Sequence, residues 1–284
     1  MTRASRGRAA SAAAIAAAIA AASAALVLAL TGCAAAERDP AASVQNEPAG
    51  TAELEGRLTV FAAASLIGAF DELATRFEQL HPRLEVAPIT YDGSSVLATQ
   101  LIEGAPADVF ASADERNLAT VAAEGLIAGE SGAFAANVLE IAVQPGNPLG
   151  IESLDDLVET TASGAAPIVV TCAPEVPCGT ASAALLDRAG FELAPASEEQ
   201  NVGAVLSKVR AGEADAGLVY VTDVQAAGAE VEGVEIEGAD AATNVYPIAA
   251  LTGSANPEAA AAFVEFVRSP EGAEVLASFG FGAP

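Results

Sequence analysis

The stretch Thr59-Val60-Phe61-Ala62-Ala63-Ala64-Ser65-Leu66-Ile67 decides how this chain is read. An apolar run with β-formers at its start meets a serine and passes at once into helical spacing, with Leu66, Phe70, Leu73, Phe77 and Leu80 on one face. The pattern predicts a buried strand from Arg57 to Ala63 that feeds directly into an amphipathic helix. The first turn of such a helix carries N–H groups without intrahelical partners, here beside a hydroxyl. That combination suits a bound anion.

Downstream, the same arrangement recurs. His81-Pro82 ends the first helix, Leu84 to Thr90 reads as a second strand and Tyr91-Asp92-Gly93 as a turn. Ser94-Ser95 then opens a short helix stopped by Gly104, Ala107 to Ala111 is a third strand, and Asp114 caps a helix through Ala123. This β-α-β-α-β-α order is that of an α/β, doubly wound sheet. Leu139 to Val143 leaves the unit, and a second one follows. It comprises a strand Pro167 to Thr171, a helix Ala181 to Ala189, a helix opened by Asn201-Val202, and a strand Asp215 to Tyr220 with Thr222 or Asp223 as the next cap. The segment after Thr243 has a strand, Tyr246 to Leu251, and helices from Pro257 and Pro270; its residue pattern fits either unit.

The beginning of the chain is set apart from the fold. Arg3, Arg6 and Arg8 precede an uncharged run, Ala9 to Leu30, and then Leu30-Thr31-Gly32-Cys33. A membrane-spanning anchor is one reading; the weak hydrophobicity of alanine and the small-residue ending favour a cleaved signal peptide over residues 1–32. The ending resembles a bacterial lipobox, which implies lipid on the thiol of Cys33. Residues 33–56, rich in Ala, Pro, Glu and Asn without apolar periodicity, are expected to be a flexible tether.

Twelve Lys and Arg face 38 Asp and Glu, a formal net charge of −26, and the leader contributes only cations, so the remainder is more acidic still. Nucleic acid is excluded as a partner, since its binding needs clustered cations. An anion site on such a body must rest on oriented local dipoles. With Cys33 assigned to lipid, Cys172 and Cys178 remain, flanking Ala-Pro-Glu-Val-Pro. A disulfide closing that loop suits an exported protein; two free thiols or a redox dithiol are the alternatives.

Five places share the opening motif: Ser65, Ser94 with Ser95, Cys178-Gly179-Thr180, Asn201-Val202, and Tyr220 before Thr222. A lone serine at a helix start is ordinarily an N-cap, and a lone strand tyrosine an ordinary core residue. Their recurrence at strand ends and helix starts is what points to an oxyanion. Catalysis has little support. His81 is the single histidine, no Gly-x-Ser-x-Gly elbow or nucleotide P-loop is present, and metal sites built from His and Cys are excluded by count. The reading is of a non-enzymatic protein without a cofactor.

Val60-Phe61-Ala62-Ala63-Ala64-Ser65-Leu66, Gly93-Ser94-Ser95-Val96-Leu97-Ala98, Gly104-Ala105-Pro106-Ala107-Asp108-Val109-Phe110-Ala111-Ser112-Ala113-Asp114 and Gly217-Leu218-Val219-Tyr220-Val221-Thr222-Asp223 together resemble the molybdate-binding proteins of bacterial ABC importers. The resemblance runs from about Arg57 to Phe281. It implies a type II periplasmic-binding-protein fold with two lobes around a central cleft, residues 57–138 plus 244–284 and residues 139–243, closing on molybdate or tungstate. It implies Ser65 as a hydroxyl and N–H donor, Ser94 as a second hydroxyl with Ser95 as the register alternative, backbone donors at Cys178 and Val202, and the Tyr220 hydroxyl. Cys178 departs from the family's smaller residue, which matters little if only its N–H is used. Molybdenum would be held only as the bound oxyanion. The implied setting is the extracytoplasmic face of the cell membrane, with a monomer anchored through Cys33 and serving an ABC permease and its ATPase. A binder of sulfate, phosphate or a ferric ion, or an exported hydrolase dependent on His81, are the competing expectations.

Overall fold

In the computed structural model, which describes residues 53–158 and 166–284, the opening apolar run divides into two strands. Glu55–Leu58 (β1) and Val60–Ala63 (β2) are separated at Thr59, whose N–H donates to the buried Asp108 carboxylate at 2.7 Å. β1 therefore begins inside the stretch expected to be tether. The proposed second strand is also two: Arg83–Val86 (β3) pairs in parallel with β1, and Thr90–Asp92 (β4) pairs in parallel with β2. Pro88 lies between them and has no N–H to give a ladder, so the supposed turn at Tyr91-Asp92 is strand instead. The signal peptide expected over 1–32 and the lipidation expected at Cys33 fall outside the described residues.

Ser65 sits in a 3-10 turn, Ala64–Leu66, that leads into Ile67–Leu80 (α1), with Phe70, Leu73 and Phe77 buried. Ser94–Ile102 (α2), Val109–Ala111 (β5) and Glu115–Ala123 (α3) follow, and Asp114 caps α3 by accepting from Asn117 N at 2.8 Å. Next comes a strand that the residue pattern hides, Ile127–Asn137 (β6). Its Gly- and Ala-rich sequence has little intrinsic strand preference, and it is held by antiparallel pairing with Asn244–Leu251. The chain continues through Leu139–Val143 (β7), Val169–Cys172 (β8), Pro177–Ala189 (α4), Ser197–Glu199 (β9), Val202–Arg210 (α5), Ala216–Tyr220 (β10), Val221–Ala227 (α6) and Glu232–Val234 (β11). It finishes with Asn244–Leu251 (β12), Pro257–Val267 (α7) and Pro270–Ser278 (α8).

Two five-stranded sheets result, ordered β4-β2-β5-β12-β6 and β9-β8-β10-β7-β11. Along either order the first two pairings are parallel and the last two antiparallel, so the sheets are mixed and share one topology. Each sheet with its helices, here called a lobe, has its own core. Phe70, Phe77 and Phe263 pack on one face of the first sheet, Leu97, Phe110 and Val121 on the other, and Ile141, Leu185, Val205 and Leu218 belong to the second. The chain passes between sheets at Val138 and returns just before Asn244. The C-terminal segment thus joins the first sheet, where Phe263 meets Phe77 with ring centroids 5.2 Å apart. Parallel strands followed by helices bring several helix N-termini to facing edges of the two sheets.

Candidate anion-binding site

Ser65, Ser94, Cys178, Val202 and Tyr220 all line one cavity between the lobes. Ser65 and Ser94 come from the first turns leading into α1 and α2; Cys178 and Val202 lie in the first turns of α4 and α5; Tyr220 ends β10. Four helical N-termini therefore meet here, each with N–H groups beyond the reach of its own helix. All five residues are buried. Ser94, not Ser95, lines the cavity, although the Ser95 hydroxyl is also buried without a partner.

Local sequence explains the placement. α4 begins at Pro177, four residues earlier than the spacing predicts, because proline at the first helical position presets φ and lacks only an N–H the helix does not use. This start puts Cys178 into the first turn. A disulfide joins Cys178 to Cys172 at the end of β8, with Cα atoms 5.7 Å apart, and a Cβ on Gly179 would overlap the Ala173 carbonyl. The loop is fixed covalently and by close backbone contact. Opposite it, a Cβ on Gly93 would overlap the Gln200 carbonyl, so glycine permits the lobes to approach this closely.

Further contacts cross the cleft. Asn201 caps α5 by accepting from Ala204 N at 2.9 Å, and its Nδ2 donates to Asp92 Oδ1 at 2.8 Å. Arg116 donates to the Glu175 carbonyl at 2.8 Å and to Thr180 Oγ1 at 2.7 Å. The first lobe's own hydroxyls are partly engaged: Ser94 Oγ accepts from Ala113 N at 2.9 Å, and Ser65 Oγ lies 3.0 Å from the Tyr246 hydroxyl. Ser94 is left with a proton to donate. The Tyr220 hydroxyl is buried and, among the described residues, has no partner within hydrogen-bond distance.

Among the described residues no lysine or arginine lines the cavity, and Asp92 is its single carboxylate. Burial above all pushes the Tyr220 phenol well above its ordinary range, so it is a donor at neutral pH. Just behind it, Asp223 accepts from Tyr220 N at 3.0 Å. Burial raises the Asp223 carboxyl to about 7, with that hydrogen bond opposing and the charge of Glu140 adding to the rise. A larger pocket on the second lobe is lined by Glu152, Asp155, Glu235 and Glu237 against one Arg188, a poor setting for an anion. His81 packs on Phe77 at 4.7 Å and takes no part in the anion cavity.

Among the described residues no cluster of His, Cys, Asp and Glu is placed to hold a metal ion, and no helix is long and apolar enough to cross a membrane. Asp92, Asn137 and Tyr246 are the polar residues at or beside the site that the sequence reading missed. A buried tyrosine in the apolar Tyr246-Pro247-Ile248 strand is the signal that was there to use, since its hydroxyl needs a partner.

The bacterial extracellular solute-binding protein family matches residues 58–282. The Molybdate-binding protein ModA of Mycobacterium tuberculosis is 41% identical over 259 residues, covering 91% of this chain and 95% of its own. Among solved structures, the periplasmic molybdate-binding protein of Azotobacter vinelandii superposes with a TM-score of 0.65 at 22% identity, over 80% of this chain and 99% of that one. The sulfate-binding protein SubI of M. tuberculosis gives 0.66 at 19% identity, over 80% and 86%. Both share the type II periplasmic-binding-protein fold seen here. The protein is a non-enzymatic transport component, and the chain belongs to the ModA molybdate-binding family of bacterial extracellular solute-binding proteins.

Proposed function

We propose that this chain captures molybdate or tungstate outside the cytoplasm and hands it to an ABC permease driven by its ATPase. One observation carries the reading: the Tyr220 hydroxyl is fully buried, unpartnered, and faces a cavity on which four helical N-termini converge. An unmet buried donor costs about 1–3 kcal/mol, and a dehydrated oxyanion supplies the acceptor it lacks. In this reading Ser65 gives hydroxyl and N–H, Ser94 and Tyr220 give hydroxyls, and Cys178 and Val202 give backbone N–H groups. The neutral donor set holds molybdenum only as its oxyanion, with the partial positive charge of the helix ends opposing its charge. The lobes, assigned as 57–138 plus 244–284 and 139–243, close on the ion and present the closed form to the permease. The body acts as a monomer at the extracytoplasmic face, tethered through lipid on Cys33.

The shared fold of the sulfate-binding protein favours sulfate as the second reading. Molybdate and sulfate have the same charge and shape, so the cavity must select by size. Calorimetric titration with molybdate, tungstate, sulfate and phosphate separates the readings: tight uptake of molybdate and tungstate is expected, and its absence sinks the proposal. Ser65→Ala and Ser94→Ala should each weaken binding by about 1–3 kcal/mol. Cys33→Ala should release the protein from the membrane fraction.

A further inference from the structure

Tyr246 does not line the cavity, yet it is fully buried directly behind Ser65. It begins the return of the chain into the first sheet, while Asn137 ends the strand from which the chain departs. Asn137 has a fixed amide orientation: its Oδ1 accepts from Val138 N at 3.0 Å, and its Nδ2 donates to Thr222 Oγ1 at 2.8 Å and towards the Tyr246 hydroxyl at 3.5 Å. The Tyr246 hydroxyl lies 3.0 Å from Ser65 Oγ, and the nearby Tyr220 hydroxyl also couples to it.

These contacts set the direction of the protons. An amide nitrogen only donates, so the Tyr246 oxygen accepts from Asn137. Of the oxygens within hydrogen-bond distance that can accept the phenolic proton, Ser65 Oγ at 3.0 Å is the one in place. Having accepted there, Ser65 keeps its own proton for the cavity. In the opposite polarity the Tyr246 proton would have to turn to the Tyr220 hydroxyl, spending that oxygen inside the protein, and Ser65 would turn lone pairs towards the anion. Burial above all holds the Tyr246 phenol above its ordinary value, so this donor stays protonated.

We propose that Tyr246 is a positioning residue for the oxyanion: by donating to Ser65 Oγ, it commits the Ser65 proton to the ligand. The inference rests on the reading of the cavity as an oxyanion site. The relay Asn137 to Tyr246 to Ser65 also polarises each bond in turn, making Ser65 a stronger donor than an isolated hydroxyl. Through Thr222, the same relay touches the second lobe at the point where the chain crosses between sheets.

The test is calorimetric titration of molybdate into wild type, Tyr246→Phe, Ser65→Ala and the double variant, with thermal melts alongside. Tyr246→Phe should bind about tenfold more weakly. In the Ser65→Ala background the same change should have no further effect, within about twofold, because the group it acts through is gone. Independent, multiplying losses would mean that Tyr246 acts by packing or direct contact and would overturn the inference. A ring-fluorinated tyrosine at position 246, which keeps the fold and sharpens the phenol as a donor, should tighten binding; unchanged or weaker binding also counts against the relay. A wild type that takes up none of the four oxyanions overturns the reading of the cavity and the inference with it. A wild type that binds while Tyr246→Phe binds equally well overturns the inference alone.

Discussion

Asn201 holds Asp92 across the cleft, Nδ2 to Oδ1 at 2.8 Å, while the oxygen of the same amide caps α5. One side chain both starts a donor helix and joins the lobes. Asn201→Asp separates the roles, because aspartate caps a helix as well as asparagine does but places a carboxylate against Asp92. Unfolding stability without ligand should change by less than about 1 kcal/mol, and molybdate release in stopped flow should quicken by on the order of tenfold. An unchanged release rate would show that this contact does not hold the cleft.

Tyr220→Phe removes a hydroxyl that, among the described residues, has no partner within hydrogen-bond distance. Its effect on the ligand-free protein should be neutral or slightly stabilising, because a desolvated polar group is lost. Molybdate binding should fall by about 1–3 kcal/mol. Equal loss of stability and binding would mean that the hydroxyl serves the fold instead.

Asp223 gives the protein a pH dependence of unusual sign. Its carboxyl titrates at about 7 in the folded state, raised mainly by burial, against roughly 3.9 when unfolded. Between those values the folded state holds the extra proton. The contribution is therefore most favourable below about pH 4, declines as pH rises towards about 7, and is flat above, a total on the order of a few kcal/mol. Asp223→Asn keeps an acceptor for Tyr220 N and removes the titration. Chemical unfolding at about pH 5 and about pH 8 should show a smaller loss in the variant than in wild type. Parallel slopes would assign the dependence to other carboxylates.

The disulfide offers a separate handle. Replacing Cys172 and Cys178 together by serine should cost about 2 kcal/mol of stability, as expected for a short closed loop. Cys178 lines the cavity, so binding should weaken as well, through a donor turn no longer held in place. Comparison of melting temperature with calorimetric affinity checks both effects, and an affinity indifferent to the change would remove Cys178 from the donor set.

How far the sequence disclosed this molecule depended on where local chemistry was decisive. Phe70, Leu73 and Phe77 announced α1, Asp114 and Asn201 announced their caps, and Gly212 the end of α5, because apolar period and capping act within one turn. β6 was invisible: its glycines and alanines form a strand only because β12 lies beside them. The early start of α4 went unread because Pro177 was taken as part of the loop. All five nominated site residues share one cavity, since strand ends and helix starts are local signals that the fold gathers. Asn137 and Tyr246 stayed hidden because their partners lie 85 and 181 residues away in the chain, a separation that no spacing rule reaches.

A cavity without lysine or arginine, on a chain of formal charge −26, has a consequence for the speed of loading. A doubly negative ion approaches such a body uphill, and among the described residues no cation lines the cavity to draw it in. Added salt shortens the range of that repulsion, to roughly 8 Å at physiological strength. Association of molybdate should therefore accelerate with ionic strength, opposite to the slowing seen for electrostatically steered ligands. Departure, governed by buried dipoles that salt does not reach, should hardly change. Intake thus answers to the medium, while the time each ion is kept answers to the protein alone.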